Sequence, residues 1–413
     1  MHLYGETAKP PVLILGGYFG GLYLLREFGK RGIDVYVIAD EKNNIAFKSK
    51  YCKKGFTASK PWDIPGLKKI LKKMSKITTK RLIVYPVTDI DALNLSKIKD
   101  EVKDDYHLMV GDREPTETLV NKSKFYHALE KNHIENPKTF FPNDLTSAKQ
   151  IGKKIQYPVF IRPAITQLFQ NAFGQGKGFI AKSYPELLKY YRLAESKKVE
   201  IMFQEILLGP PENSLQLEGY FDKNFCSKGL FARQRLRIWP LDFGNTTLCV
   251  SIPLSKLAPE TKQLTKFIKN IGYNGVASAE YRKNPKDGKN KMLEINARVW
   301  FHSWLSAKCG VNIFLSSYLD AIGEKAEFGK EYSTGVKSIY VDSDIQSSRT
   351  MYQRGELTAI EWLSSLRGVR QTVLFELNDP QPLFVTGLKK LSNLKKPYPE
   401  HKKNHFEKTK TNN

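Results

Sequence analysis

Short apolar segments alternate with helical segments over residues 1–120, and this alternation constrains the fold more than any other feature of the chain. Val12–Leu15 is apolar throughout and predicts a buried strand, which a helix ending near Lys30 follows. Val35–Ile38 predicts a second strand, and Arg81–Tyr85 predicts a later one. Strands that alternate with helices are typical of a parallel sheet with helical crossovers. We therefore predict an α/β domain over residues 1–120.

A glycine-rich turn, residues 16–21, joins the first strand to the first helix. Its spacing is GGxxGG, whereas dinucleotide-binding turns have GxGxxG. Asp40, after the second strand, could bind a ribose in such a site. Two interpretations stay open from the residues alone. One is a dinucleotide site, as in a Rossmann-type dehydrogenase, and the other is a structural or substrate-contacting turn.

The formal net charge of +24 indicates an anionic partner: nucleic acid, a membrane surface, or a small molecule such as ATP. Part of the charge lies in Lys53–Lys80, which holds nine lysines against one acid, Asp63. Apolar residues recur there at helical spacing, which predicts a surface helix with a solvated lysine face. Peripheral contact with anionic surfaces is the alternative. The clustered aromatics that nucleic-acid binding predicts are not seen, so we expect no specific nucleic-acid partner.

The four cysteines are scattered and have no metal-binding spacing, which indicates a reducing compartment. No uninterrupted apolar run reaches the ~18 residues of a membrane span. We therefore predict a cytoplasmic protein.

From about residue 121 the order of predicted strands and helices differs from that of the first 120 residues. Lys122–Lys131 predicts a helix, and Pro158–Arg162 and Phe179–Ala181 predict two strands of a hairpin-like unit around the glycine loop 174–178. Antiparallel strands are expected to dominate from 200 to 299, and a helical region, Trp300–Ile322, is expected after them. One amphipathic helix is expected around Leu357–Leu366, and a polar, Lys-rich, disordered tail over 398–413.

The segment 292–298, with the sequence MLEINAR, carries the most specific site signal. Strand alternation predicts Glu294, Asn296 and Arg298 on one face and Leu293, Ile295 and Ala297 in the core. The preceding segment Val276–Arg282 presents Glu280, and the turn at Asp287 and Gly288 predicts a hairpin. Two carboxylates and an amide oxygen suit Mg²⁺, and Arg298 could bind a phosphate or carboxylate. A charged, solvent-facing strand is the alternative.

These motifs, in this order, resemble the ATP-grasp superfamily over roughly residues 10–380, and within it the D-aspartate-ligase-like carboxylate–amine ligases. The resemblance implies that Glu280, Glu294 and Asn296 bind Mg²⁺ or Mn²⁺. It implies that Lys122 and Arg162 contact nucleotide phosphates. Lysine is commoner than arginine at position 162, although carbamoyl-phosphate synthetases have an arginine in a very similar strand.

The resemblance also implies a nucleotide site around the glycine loop and a linker, Phe203–Gly209. The loop would close over the phosphates with Gly176 backbone and the charge of Lys177, although a plain mobile turn is the alternative. Glu205 and Ile206 of the linker, and Glu212 beyond it, are the candidates to bind adenine and ribose.

Arg233, Arg235 and Arg237 alternate along one predicted strand, in a run that resembles the amine-ligase branch. Three arginines on one face predict an anion site, with Arg233, Arg235 and Arg298 as catalytic residues; a solvated face is the alternative. His302, close by in sequence, is interpreted as a packing residue. Residues 354–363 resemble the C-terminal extension of this branch.

The expected fold is α/β, with α+β character in the catalytic part. It comprises a pre-ATP-grasp domain with a parallel sheet (1–120), an ATP-grasp small lobe (121–205), a large lobe (206–330), a C-terminal extension (331–397) and the tail. The expected function is ligation of a small-molecule carboxylate to an amine through an acyl phosphate, with ATP and Mg²⁺ as cofactors. Carboxylation or carbamoylation by an ATP-grasp enzyme, and a basic binding protein, are the alternatives. A homodimer is left open.

Overall fold

The computed structural model describes residues 9–41, 44–58, 63–78, 81–174, 176–241, 244–325, 331–372 and 374–386. Its N-terminal part is a five-stranded sheet in the order β3-β2-β1-β4-β5 whose pairings are all parallel, as predicted. The elements are β1 Val12–Leu15, α1 Phe19–Gly29, β2 Val35–Ala39, β3 Cys52–Thr57, α2 Ile64–Met74, β4 Leu82–Pro86, α3 Asp89–Ile98, β5 Tyr106–Leu108 and α4 Arg113–Val120.

Strand β1 is apolar at every position because both faces of this sheet are covered. Val12 and Ile14 belong to the core that includes α1, whereas Leu13 and Leu15 pack in a second core with α2 on the other face. The lysines of α2 lie outside that core, which Leu67, Leu71 and Met74 enter. The solvated lysine face predicted for this helix is therefore the arrangement observed.

The glycine turn after β1 is packed closely by other parts of the chain. A Cβ atom on Gly17 would lie 2.0 Å from the side-chain oxygen of Asn44, and one on Gly20 would lie 2.9 Å from the side chain of Val299. Glycine is needed here because neighbouring protein atoms fill the space that a side chain would take. This packing supports the structural interpretation of the turn over a dinucleotide site.

A second sheet has the order β6-β9-β7-β8, and this sheet with its helices is called the small lobe below. The predicted helix Lys122–Lys131 is confirmed as α5, and the predicted antiparallel pairing of the strands before and after the glycine loop is confirmed for β7 and β8. An unpredicted helix, α7, lies between these two strands. The elements are α5 Lys122–Lys131, β6 Thr139–Phe140, α6 Leu145–Lys154, β7 Val159–Pro163, α7 Thr166–Phe173, β8 Phe179–Ala181, α8 Tyr184–Ser196 and β9 Ile201–Glu205.

The largest sheet, called the large lobe below, has seven strands in the order β14-β13-β10-β11-β12-β15-β16, antiparallel except between β15 and β16. The predicted hairpin of β13 and β14 and the helices after residue 300 are confirmed. The elements are β10 Ser214–Phe221, β11 Ser227–Trp239, β12 Asn245–Ile252, α9 Ala258–Ile271, β13 Gly275–Lys283, β14 Asn290–Asn296, α10 Trp304–Lys308, α11 Ile313–Ala321, β15 Lys337–Ile339, α12 Val341–Gln353, α13 Ala359–Ser365 and β16 Val369–Thr372.

One face of this sheet is apolar. The other face carries polar side chains where it lines the cavity described below, and farther along it packs into the N-terminal core through Tyr220, Phe231 and Val276. Leu217, Ala232, Ala279 and Ile295 share a core with α9 on the apolar face. On the polar face, side chains from four strands form a row through directly paired positions, and this polar row consists of Glu294, Glu280, Gln216 and Arg233. Because paired residues in a sheet point to the same side, the register alone brings these four side chains together.

The C-terminal residues add two helices to the large sheet. The amphipathic helix predicted around 357–366 is confirmed as α13. Helix α12 was not predicted because its buried side carries Asp344, Ser347 and Ser348 rather than apolar residues. The predicted disordered tail, 398–413, lies outside the described residues. Among the residues that are described, no helix is long and apolar enough to cross a membrane.

Candidate active site

The polar face of the large sheet and the facing strands of the small lobe enclose a cavity of about 520 Å³. Its lining includes eleven of the thirteen residues that the sequence predicts, and Gly176 and Glu212 are not among the lining residues. The eleven are Lys122, Arg162, Lys177, Glu205, Ile206, Arg233, Arg235, Glu280, Glu294, Asn296 and Arg298.

Two carboxylates face each other across β13 and β14. Glu280 and Glu294 are directly paired in the register, and each accepts a hydrogen bond from an arginine. The Arg235 guanidinium donates to Glu280 Oε1 at 3.0 Å, and the Arg162 guanidinium donates to Glu294 Oε2 at 2.9 Å. Like charges in directly opposed positions repel, so these cations offset that repulsion.

Cations from the small lobe control the charge of Glu294. The Lys122 ammonium lies 3.8 Å from Glu294 Oε2, and Lys122 is itself buried. Burial raises the pKa of Glu294, but Lys122, Arg162 and other nearby cations outweigh this effect and lower the pKa to about 2. Burial also lowers the pKa of Lys122, against the attraction of Glu294. The site therefore holds an ionised carboxylate among several positive charges.

Arg162 is positioned by three side chains. It donates to Glu294, to Gln204 Oε1 at 3.0 Å and to the Tyr126 hydroxyl at 3.1 Å. Gln204 is buried and donates in turn to the Thr139 hydroxyl at 2.9 Å. This network fixes the guanidinium at the end of β7, facing the large lobe.

The prediction for Leu293 is wrong. It was expected in the core, but the register skips this residue: Glu280 pairs with Glu294, and Tyr281 pairs with Met292. This irregularity turns Leu293 into the cavity lining, while Met292 and Ile295 are buried in the core. Strict strand alternation cannot foresee a bulge, so the sequence pattern misplaced one side chain.

Arg298 is held in place by a residue that the sequence did not indicate. Its guanidinium donates to Asp89 at 2.7 and 3.4 Å and to Asn296 Oδ1 at 2.8 Å. Asp89 lies at the start of α3 in the N-terminal domain and lines the cavity. An acidic residue at the start of a helix usually stabilises the positive end of the helix dipole. Nothing in the sequence pattern therefore assigned Asp89 to the site.

The expectation that three arginines of β11 share one face is wrong for Arg237. The pairing of β11 with β12 is irregular between Arg235 and Arg237, and Arg237 instead makes a two-bond ion pair with the buried Asp344 of α12. Arg233 and Arg235 do line the cavity. Arg233 is buried and donates to Glu218 Oε1 at 2.6 Å.

The linker after β9 forms one wall of the cavity. Glu205 accepts from the Lys291 ammonium at 2.7 Å and from the backbone N–H of Lys138 at 2.9 Å. Arg282, which the sequence analysis did not single out, donates to the carbonyls of Leu207 and Gly209 at 2.8 and 2.6 Å. It thereby ties the linker to β13. Apolar side chains also line the cavity, and these include Phe160, Ile206, Leu207, Leu208 and Leu293.

The two predicted residues outside the lining have other contacts. Glu212 is exposed, and its carbonyl accepts from the side chain of Gln234 at 2.8 Å. The carbonyl of Gly176 accepts from Gln170 at 3.3 Å. The adjacent Lys177 does reach the cavity, where its ammonium donates to Asn245 of β12 at 3.3 Å.

His302 packs in the protein, as its sequence context indicated. It is fully buried, with one ring nitrogen 3.1 Å from the Ser338 hydroxyl and the other 3.0 Å from the Thr246 carbonyl. Burial, with a contribution from Arg233, lowers the pKa of His302 to about 3. The ring is therefore neutral and structural.

The donor set fits a magnesium ion that is shared with phosphates. No group of three or more His, Cys, Asp and Glu side chains that could hold a metal exists in the described part of the chain. Glu280 and Glu294 supply two carboxylates, and Asn296 adds an amide oxygen on the same strand as Glu294. Mg²⁺ takes one or two carboxylates and completes its shell with phosphate oxygens and water, so two carboxylates suffice.

Comparison with known proteins gives relatives in both sequence and structure, although no protein-family model matches the chain. D-aspartate ligase of Enterococcus faecium is 24% identical over 262 residues, which are 61% of this chain. The match spans 62% of that enzyme's length.

Solved structures agree with the fold. Biotin carboxylase of Campylobacter jejuni, solved in a complex with a nucleotide, has a TM-score of 0.63 at 16% identity, covering 81% of this chain and 75% of its own. L-amino acid ligase of Bacillus licheniformis has a TM-score of 0.59 at 13% identity, covering 77% of this chain and 75% of its own. The chain thus has the ATP-grasp fold, and the resemblance to the ATP-grasp superfamily and its carboxylate–amine ligase branch is confirmed.

Proposed function

We propose that this protein is an ATP- and Mg²⁺-dependent ligase, which activates a carboxylate as an acyl phosphate and couples it to an amine. The observation that carries the proposal is the pair Glu280 and Glu294, which lie opposite each other in one cavity with cations from both lobes around them. Two carboxylates beside several cations suit the transfer of a highly charged phosphoryl group.

The nucleotide would lie between the linker and the small-lobe cations. The apolar residues Ile206 and Leu208 of the linker and Phe160 of β7 line this cavity and would bind the flat base. Lys122, Arg162 and Lys177 line the cavity near Glu294 and would bind the phosphates. Mg²⁺ held by Glu280, Glu294 and Asn296 would neutralise charge on those phosphates.

The reaction that we propose needs no nucleophile from the protein. A carboxylate oxygen of the acid attacks the γ-phosphorus of ATP, and the bond from that phosphorus to the β,γ-bridging oxygen breaks to release ADP. The amine nitrogen then attacks the acyl carbon, loses a proton, and expels phosphate. Arg162 and Arg298 would offset charge on the transferring group, and closure of the glycine loop would exclude water.

The names of the similar proteins are a guide to which acid and which amine to test. The D-aspartate ligase and the L-amino acid ligase are named for amino-acid substrates, whereas the biotin carboxylase points to carboxylation chemistry. All of these reactions can be compared in one assay, because bicarbonate and organic acids both offer a carboxylate oxygen to ATP.

The experiment is a screen with hydroxylamine as a general acceptor. Purified protein, ATP and Mg²⁺ are incubated with pooled organic and amino acids or with bicarbonate, and ADP and hydroxamate are measured. We expect ADP release that depends on an added acid, with an equivalent amount of hydroxamate. Glu280→Gln should abolish both, whereas Glu135→Gln, which removes an exposed partner of Lys289, should leave both intact. ADP release with bicarbonate but with none of the other acids would favour carboxylation. The absence of ADP release with every acid and with bicarbonate would reject the ligase.

A further inference from the structure

One side chain of the polar row has hydrogen-bonding capacity that nothing described so far uses. Gln216 lies on β10, directly between Glu280 on β13 and Arg233 on β11, and only 2% of its surface is exposed. Its Oε1 and Nε2 atoms have no hydrogen-bond partner among the described residues, and the residue lines the cavity. A buried amide without partners is unfavourable for folding, so its presence calls for a ligand or another compensating role.

The charges on the two sides of Gln216 are opposite in sign. On one side lies the carboxylate of Glu280, which Arg235 binds. On the other side lies the Arg233 guanidinium, whose Nε donates to Glu218 and whose NH1 has no partner in the described part of the chain. A ligand group here is therefore expected to donate toward the Glu280 side and to accept from the Arg233 side.

The position of Gln216 favours the acid over the nucleotide. The cations that suit phosphates, Lys122 and Arg162, contact Glu294 at one end of the polar row. Gln216 lies beyond Glu280 from that end, on a different strand. An acid whose carboxylate reaches the phosphates near Glu294 would extend along the row toward Gln216.

We propose that Gln216 determines specificity for the acid substrate by binding a second polar group that the acid carries close to its reacting carboxylate. This inference rests on the proposed function. A hydroxyl both donates and accepts, so it could bond to both ends of the Gln216 amide. An α-ammonium group only donates, so it would bond to Oε1 of the amide and toward the Glu280 side. The amide of Gln216 would reject acids that lack such a group, because its polar atoms would then stay buried without partners.

The test compares matched acids by calorimetry on the protein with bound MgADP. Propionate, lactate and alanine form one set, and succinate, malate and aspartate form another, each tested with both enantiomers where they exist. The wild-type protein should bind the hydroxy or amino member at least about tenfold more tightly than the unsubstituted acid of its set. The relative affinities of the hydroxy and amino members identify which group Gln216 binds.

Two variants separate specificity from structure. Gln216→Leu should bring the affinity ratio close to one, without a loss of melting temperature and without a change in ADP affinity. Gln234→Leu alters the same residue type on the neighbouring strand, where the side chain donates to the Glu212 carbonyl. This control should lower the melting temperature and keep the ratio.

Equal ratios in the wild-type protein and in Gln216→Leu would overturn the inference, as would a wild-type protein that binds none of these acids. The calorimetry tests the role of Gln216, whereas the hydroxylamine screen tests the ligase. If only the proposed function is wrong, acids will bind in the calorimeter but will give no hydroxamate in the screen.

Discussion

Glu280 and Glu294 lie in directly opposed positions of β13 and β14, yet the arginines that bind them come from different lobes. Arg235 belongs to β11 of the same large sheet, whereas Arg162 belongs to β7 of the small lobe. The ion pair between Arg162 and Glu294 therefore links the two lobes across the cavity. A ligand that binds between them must rearrange or share this pair, which makes both residues sensitive reporters of nucleotide binding.

Replacement of Arg162 with alanine should weaken ATP binding by about 1.5–3 kcal/mol, because a hydrogen bond to a charged phosphate contributes about this much. Calorimetry with a non-hydrolysable ATP analogue measures the change, and circular dichroism checks that the variant is folded. Arg162→Lys keeps a positive charge and should retain most of the affinity. Unchanged affinity in Arg162→Ala would remove this residue from the nucleotide site.

Asp89 should act through Arg298. Asp89→Asn keeps the size of the side chain but removes the charge that holds the guanidinium at 2.7 Å. We expect ADP release to fall by at least about tenfold, since misplacing a group that neutralises developing charge slows phosphoryl transfer. Affinity for the ATP analogue should change little. Loss of that affinity to the same extent as loss of turnover would show that Asp89 serves nucleotide binding instead.

The neutral, buried His302 should make stability fall in mild acid. Its pKa is lowered to about 3, so between that pH and about 6.5 the unfolded chain binds a proton that the folded protein does not. The contribution of His302 is complete above pH 6.5 and decreases as the pH falls. From pH 7 to pH 5 it should reduce the free energy of unfolding by about 2 kcal/mol. Urea titrations should find a smaller decrease in His302→Asn, and equal decreases would contradict this account.

The lysine face of α2 should be independent of the reaction. Lys68, Lys69, Lys72 and Lys73 are absent from the cavity lining, and the helix packs against the N-terminal sheet. Replacing all four with glutamine should leave acid-dependent ADP release unchanged and should abolish salt-sensitive binding to anionic vesicles if the wild-type protein shows any. Reduced turnover in this variant would place the helix in the active enzyme.

Most charged residues that line the cavity could be predicted from the sequence, because alternating charged and apolar residues along a strand show which side chains share a face. Glu294 and Asn296 could be assigned to the same face from their spacing alone, and the hairpin turn at Gly288 indicated Glu280 as a neighbour. Leu293 and Arg237 were misplaced, since each lies at an irregularity of pairing that the residue pattern does not reveal.

Residues that act through distant contacts could not be found in the same way. Asp89 and Arg298 are 209 positions apart, and only the packing of the N-terminal domain against β14 brings them together. Gln216 looks like an ordinary strand residue, and its burial between Glu280 and Arg233 follows from the strand order β13-β10-β11. Strand order in an antiparallel sheet depends on the whole chain, so local sequence carries little information on it.

The most direct test of the central claim is to measure Mn²⁺ binding and acid-dependent ADP release on the same preparation of Glu294→Gln. This change preserves the shape of the side chain and removes the charge that a divalent cation needs. Electron paramagnetic resonance with Mn²⁺ and ADP should show metal bound to the wild-type protein and a large loss in the variant. ADP release should fall by several orders of magnitude. A Glu294→Gln protein that binds Mn²⁺ and releases ADP as the wild type does would contradict the metal site and the proposed mechanism.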